Sequence, residues 1–257
     1  MSRHDIEERS ARDRALFDKI ASDYARKDNY GPSMAARRAR LFHTIDSVSP
    51  NPDFDLLEIG CGAGYAARYL QGRYRSYTGI DHSDELIQVA IAENRLSSTE
   101  FHAADLYHWK PTRSFDVVFA IGVLHHLPDI PSAMGIMRSV LKPGGFVVVN
   151  EPQPANRLFH RLRKIRAFVD SSYSVDQEEL EEETLINVFE SAGLRHVAAL
   201  PQGLFSTPFA EVMLKPAILT GRLSAFACGT DRFLERSFPD KLKRFSWNLI
   251  VKGQYEG

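Results

Sequence analysis

At 257 residues the chain suits one large domain, or one domain with an appended piece. Its 44% hydrophobic and 25% charged content is ordinary for a globular protein, and a formal net charge of −1 excludes a general attraction to nucleic acid or anionic membrane. The two cysteines, Cys61 and Cys228, fit neither a disulfide framework nor a Cys/His metal spacing, so no metal is expected and reducing cytoplasm is the natural location. The charged opening Met1–Arg9 lacks the apolar core of a signal peptide, and no run reaches the roughly 18 apolar residues of a membrane span.

Residues 1–50 read as a helical leader. Leu16, Phe17, Ile20 and Tyr24 share one helical face. Asn29-Tyr-Gly-Pro-Ser33 is a break, Ser33 is the expected cap of a second helix through Ile45, and Ser49-Pro-Asn-Pro52 closes the leader. From residue 51 the pattern becomes strand and helix in alternation. Strands are expected at Phe54–Ile59, Tyr77–Ile80, Glu100–Ala103, Phe115–Ile121 and Phe146–Val149, the last entered by a turn at Pro143-Gly-Gly145. Helices are expected from Tyr65, from a Ser83 cap, over Ser132–Leu141 and over Glu178–Ala192. A sixth strand covers Arg195–Leu200 and a last one Ser246–Lys252, with an insertion at about 201–245 carrying helices of its own. Near-continuous apolar strands between helices predict a parallel sheet covered on both faces.

Glycines straight after a buried strand and before a helix let backbone approach a ligand where a Cβ would collide. Glu58-Ile-Gly60-Cys61-Gly62-Ala-Gly64 is such a loop. Its Gly62-x-Gly64-x-x-Ala67 spacing, with Asp81 downstream, also fits a dinucleotide site, so an NAD-dependent oxidoreductase is the first rival. Asp81 ends the second strand, where a carboxylate can accept both ribose hydroxyls, and Asp105 follows the third, where it can accept from the adenine amine.

Leu57-Glu-Ile-Gly-Cys-Gly-Ala-Gly64, Gly79-Ile-Asp-His-Ser83, Ala104-Asp-Leu106, Phe115-Asp-Val-Val118, Val123-Leu-His-His-Leu-Pro-Asp129 and Leu141-Lys-Pro-Gly-Gly145 follow in order. Taken together over residues 54–152, they resemble the class I S-adenosylmethionine-dependent methyltransferases, in the small-molecule branch typified by ubiquinone-biosynthesis enzymes. The resemblance implies a Rossmann-like seven-stranded α/β sheet, mostly parallel with an antiparallel last strand, helices on both faces and a helical lid. It places S-adenosylmethionine against Glu58, Gly60, Cys61, Gly62 and Gly64 at the methionine end. Asp81 and His82 stand at the ribose, Ala104, Asp105 and Leu106 at the adenine, and Ile121 and Gly122 beneath the sulfonium. Many relatives carry a polar residue in the Ala120-Ile-Gly122 segment, where this chain is apolar or glycine.

An oxygen or nitrogen acceptor needs a base for its proton, and His126, His125 and Glu151 follow strands at the rim where the acceptor belongs. Tyr24 and Tyr30 are candidates to line the lid. Arg157 and Arg161 belong to a basic, apolar-interleaved segment that fits an anionic or lipid-linked acceptor or a peripheral membrane contact, and equally a solvated helix face. The apolar residues of the insertion are expected to cover the acceptor side or to form a dimer surface, leaving monomer and homodimer open. The expected reaction is methyl transfer to a small-molecule or lipid/glycan-linked acceptor, at oxygen. A cofactor-binding regulatory protein without turnover is a second rival, and a cyclisation on the same cofactor a third. No Asn/Asp-Pro-Pro-Tyr-type motif follows the fourth strand, which argues against nucleic acid as substrate.

Overall fold

The computed structural model describes residues 3–48, 53–154 and 180–257, except for the side chains of residues 3–10, 23 and 24. One sheet holds β1 (Asp55–Ile59), β2 (Ser76–Asp81), β3 (Thr99–Ala103), β4 (Phe115–Ile121), β5 (Leu141–Pro152), β6 (Arg195–Gln202) and β7 (Asn248–Gln254). Their order is β3-β2-β1-β4-β5-β7-β6, and β7 runs antiparallel to both its neighbours. This is the expected Rossmann-like architecture. The helices are α1 (Arg3–Asn29), α2 (Gly31–Asp46), α3 (Tyr65–Tyr69), α4 (Asp84–Glu93), α5 (Ile130–Ser139), α6 (Glu182–Ser191), α7 (Thr207–Glu211), α8 (Ala217–Ser237) and α9 (Pro239–Leu242).

Successive strand residues point to opposite faces, so the apolar strands feed two cores. Leu56, Val117, Phe119, Val148 and Ile250 pack with Leu41 and Ile45 of α2 and Ala66 and Ala67 of α3. Leu57, Val118, Ala120, Val147, Val149, Leu249 and Val251 pack with Met134 and Met137 of α5 and Leu185 and Phe189 of α6. At the amino ends of the strands Lys142 reaches Asp55 at 2.7 Å and Asp116 at 2.8 Å, and Arg75 pairs with Asp55. The Leu141-Lys-Pro-Gly-Gly145 stretch therefore closes the end of the sheet opposite the loop glycines. The arginine bond and burial act oppositely on the Asp55 carboxyl, and the bonds win, holding it well below the usual range.

Several boundaries differ from expectation for local reasons. Ser83 does cap α4, accepting from the Leu86 amide at 3.2 Å. Ser33 does not cap α2: Tyr30 precedes that helix, Pro32 occupies its first turn, and Ser33 is buried inside it. Asp129 caps α5 by accepting from Ser132 at 3.0 Å, so the helix starts two residues before Ser132. Pro143-Gly-Gly145 is an irregularity within β5 rather than a turn before it, since Leu141 already pairs with Phe115. The closing stretch Ser49–Pro52 lies outside the described residues.

The insertion carries α7, α8 and α9 and packs on α2. Ser224 Oγ donates to Pro32 O at 2.7 Å, and Arg40 pairs with Glu211 at 3.0 Å. Ile218, Leu219, Leu223, Phe226 and Phe233 point outward into solvent and cover nothing among the described residues. Buried Asp231 of α8 instead accepts the amides of Leu204, Phe205 and Ser206 at 3.0, 3.0 and 2.9 Å. Replacing it strands three amides under the helix. Asp231→Ala should cost about 3 kcal/mol in urea unfolding and speed amide exchange at residues 204–206 before it does so elsewhere.

Candidate cofactor and active site

A cleft opens at the carboxyl ends of β1, β2 and β4, the position at which open α/β sheets bind ligands. Its floor is the loop after β1. The Gly60 and Cys61 amides both donate to Ile80 O, at 2.8 and 3.0 Å, which folds the loop across the end of β2. Gly60 has φ +69°, and a Cβ there would stand 2.5 Å from Val123 Cγ2, so both its backbone and its surroundings demand glycine. Gly64, at φ +70°, is held equally close to Asn94 and Phe101.

Asp81 organises the next wall. Its two carboxylate oxygens accept from the Gly62 and Ser83 amides, each at 2.9 Å, and its carbonyl accepts from Ala104 at 2.8 Å. Burial raises its pKa, and the two amides work against that rise. Asp105 accepts from the Tyr107 amide at 3.0 Å and stands 2.9 Å from His108 Nδ1. The buried Leu106 completes this wall.

The third wall is the turn after β4, and Glu151 holds it. One Glu151 oxygen accepts the amides of Val123 and Leu124 at 2.9 Å each, and the other accepts His125 Nδ1–H at 2.7 Å. Burial raises the Glu151 pKa, but the His125 bond and charge and the two amides outweigh it, so the carboxyl sits below its ordinary value. His126 follows directly and faces the cleft. Burial and the neighbouring His125 lower its pKa, so the neutral imidazole dominates near pH 7.

α1 lies across the opening. Its Asp13 and Phe17 line the cleft, Asp13 stands 3.6 Å from His126 Nδ1, and Phe17 packs edge-on against His82 and His126. Asp18 accepts from Ser83 Oγ at 2.5 Å, and Arg14 pairs with Asp84, fastening α1 to the start of α4.

Of the residues expected at the site, Gly60, Gly62, Asp81, His82, Ala104, Asp105, Leu106, Ile121, Gly122 and His126 line this cleft. Glu58, Cys61, Gly64, His125 and Glu151 stand behind it. Glu151 is fully buried, with both oxygens committed to the β4 turn, so it is not at the rim. Tyr30 faces away from the cleft, donating to Leu214 O at 2.5 Å. The side chain of Tyr24, and Arg157 and Arg161 altogether, lie outside the described residues. Asp13, Tyr107, Val123 and Leu127 were not expected there. Val123 and Leu127 lie within the matched motif after β4 and Tyr107 adjoins the one after β3, whereas Asp13 sits on a polar helix with no local sign of its role.

The residues 24–199 match the model of a family described as a methyltransferase domain. The chain belongs to the class I S-adenosylmethionine-dependent methyltransferase family. Among curated methyltransferases, the trans-aconitate 2-methyltransferase of Yersinia pestis is 31% identical over 138 residues, 48% of this chain and 53% of its own length. The chain thus spans about half the length of the curated relatives it matches. A methyltransferase structure from Thermotoga maritima superposes with a TM-score of 0.65 at 15% identity, covering 95% of this chain and 99% of that one. The N-methyltransferase NodS of Bradyrhizobium japonicum, solved with S-adenosylhomocysteine, gives 0.59 at 18%, covering 95% and 97%. At those identities the two structures establish the shared methyltransferase fold.

Within this methyltransferase loop Glu58 is the unusual group. It is fully enclosed, accepts the Tyr77 hydroxyl, and burial pushes its pKa up to about 8, against the lowering effect of Tyr77. A carboxyl raised in the folded state binds its proton more tightly there than in the unfolded chain. Its contribution is therefore full below about pH 4.5 and is lost as pH rises towards 8. Glu58→Gln should raise stability at pH 8 by on the order of 2–5 kcal/mol and change little at pH 4. Thermal melts of both proteins across that range check it.

Proposed function

We propose that this chain transfers the S-methyl group of S-adenosylmethionine to a small-molecule acceptor, at oxygen, inside the cleft beneath α1. The observation that carries this reading is the charge of the lining. Asp13, Asp81 and Asp105 are there, and among the described residues no lysine or arginine is. Three carboxylates with no cation beside them among the described residues oppose a doubly charged diphosphate, whereas an adenosine joined to a cationic sulfonium suits carboxylates flanked by Ile59, Ile80, Leu106 and Ile121. Both His82 Nε2, which is buried with no hydrogen-bond partner, and the left-handed Gly62 beside it fit a polar ligand seated against β2. This favours S-adenosylmethionine over a nicotinamide dinucleotide.

The bound cofactor supplies an electrophilic methyl group, and its displacement asks for alignment and dryness more than for acid or metal. The chain's residues divide that work. Asp81, already oriented by Gly62 and Ser83, has lone pairs left to accept the ribose hydroxyls. Asp105 accepts from the adenine amine. Gly60, Ile121 and Gly122 surround the methionine end without side chains that compete with the acceptor. Phe17 and the rest of α1 act as a lid against water. His126 takes the acceptor's proton, with Glu151 and His125 positioning it by fixing the turn that carries it.

Calorimetry with S-adenosylhomocysteine against NADH separates the two cofactors, and tight NADH binding alone would overturn the proposal. Asp81→Ala should weaken S-adenosylhomocysteine at least about 100-fold, consistent with losing charge-assisted bonds to two hydroxyls. His126→Ala should leave that affinity within about twofold and lower kcat by about 10²–10⁴. The wild-type rate should fall in acid with an inflection below pH 6.5, because the folded His126 pKa is lowered, and the variant should lose that limb. The acceptor itself comes from a screen of phenols, small carboxylic acids, glycans and lipids by S-adenosylhomocysteine release.

A further inference from the structure

α8 is amphipathic with its faces exchanged. Its buried positions are Thr220, Ser224, Ala227, Asp231 and Glu235, four of them polar. Each polar group is used: Thr220 donates to Leu214 and Pro216 carbonyls, Ser224 to Pro32, while Asp231 and Glu235 accept the amides of residues 203–206. The outward face is apolar instead, with Ile218 84%, Phe226 76%, Phe233 65%, Leu219 57% and Leu223 49% exposed. Leu219, Leu223, Phe226 and Phe233 fall on one stripe at helical spacing, and Arg222, Arg232 and Arg236 flank it. These arginines are exposed, make no ion pair among the described residues, and share the helix with no exposed acid. Exposed Lys215 adds a cation just before the helix, whereas Lys241 and Arg244 line a separate cleft with Glu181, Glu182, Glu183 and Asp240.

We infer that the exposed face of α8 docks on an anionic lipid bilayer, the helix lying in the plane of the interface. Charge complementarity chooses this occupant. An apolar stripe bordered by cations is the pattern of helices that sit at the headgroup boundary. A second copy packed two-fold on this face would set the arginines of one helix against those of the other. The inference does not depend on which acceptor the cleft takes. Among the described residues no helix is long and apolar enough to cross a membrane, so the contact is peripheral.

Co-sedimentation of the full chain with vesicles tests it. Vesicles of phosphatidylcholine with about one third phosphatidylglycerol should bind at least about tenfold more protein than phosphatidylcholine alone, with binding falling as salt rises. Phe226→Ser with Phe233→Ser should lower binding about tenfold, by removing buried apolar area. Arg222→Gln with Arg232→Gln and Arg236→Gln should abolish the preference for the anionic vesicles. Both variants must keep wild-type melting and S-adenosylhomocysteine titration, which separates loss of docking from loss of fold and from failure of the cofactor reading. No vesicle binding by the wild type, or binding unchanged in both variants, overturns the inference. So does a dimer in sedimentation velocity that the phenylalanine pair abolishes while vesicles leave the protein in solution.

Discussion

A carboxylate brought out of water has to be met by donors, and Asp81 meets this demand with backbone from two separate elements, the loop after β1 and the cap of α4. Its own carbonyl then takes the amide that begins the turn after β3. Three connections that would otherwise move independently are tied to one residue. The glycines make this tie available, because Gly60 and Gly62 both take positive φ and so bring the Gly62 amide under the carboxylate. The shape of the cleft follows from that arrangement, as does the reason the loop tolerates no side chain at Gly60.

The two ends of the sheet handle charge in opposite ways. At the amino ends Asp55 and Asp116 are neutralised by Arg75 and Lys142. At the carboxyl ends Asp81 and Glu151 are met chiefly by amides, with His125 the side-chain hydrogen-bond partner of Glu151 among the described residues. Amides satisfy hydrogen bonding without cancelling charge. The amino end is thus a closed electrostatic unit that stabilises the fold, while the carboxyl end keeps negative potential available to a cationic ligand. Lys142 lies in a stretch that marks the family in sequence, yet it serves the end of the sheet remote from chemistry.

The strands were legible because buried strand residues alternate between two cores and because glycine or aspartate punctuates the ends of β1, β2, β4 and β6. Asp81 and Asp105 were legible for the same reason: they stand where a strand stops. The expected fifth strand stops at Val149, which made Glu151 a candidate base at the rim, whereas it lies within β5. Its actual role depends on His125, 26 residues earlier, and on two amides, which linear order does not display. Asp13 and Phe17 show the same limit, since a helical stripe reveals that a helix packs but not against what. In α8 the apolar stripe was visible and suggested a cover over the acceptor side. Hydrogen bonds from Thr220, Ser224, Asp231 and Glu235 decide instead which face turns inward, and side-chain polarity alone points to the wrong one.

Glu58 lies one residue before the end of β1 and Asp81 ends the adjacent parallel β2, and the Asp81 charge adds to the burial that raises the Glu58 pKa. Their surroundings separate them. Glu58 is enclosed, has a neutral phenol as its donor, and rises to about 8, so it is protonated at neutral pH. Asp81 has two amide donors, which favour its ionised form against the burial that raises its pKa. Its own burial and the charge of Asp18 on α1 oppose that ionisation. At Glu58 the Tyr77 phenol pulls the pKa down and burial pushes it up further, so enclosure rather than the hydrogen-bond donor decides that this carboxyl stays neutral.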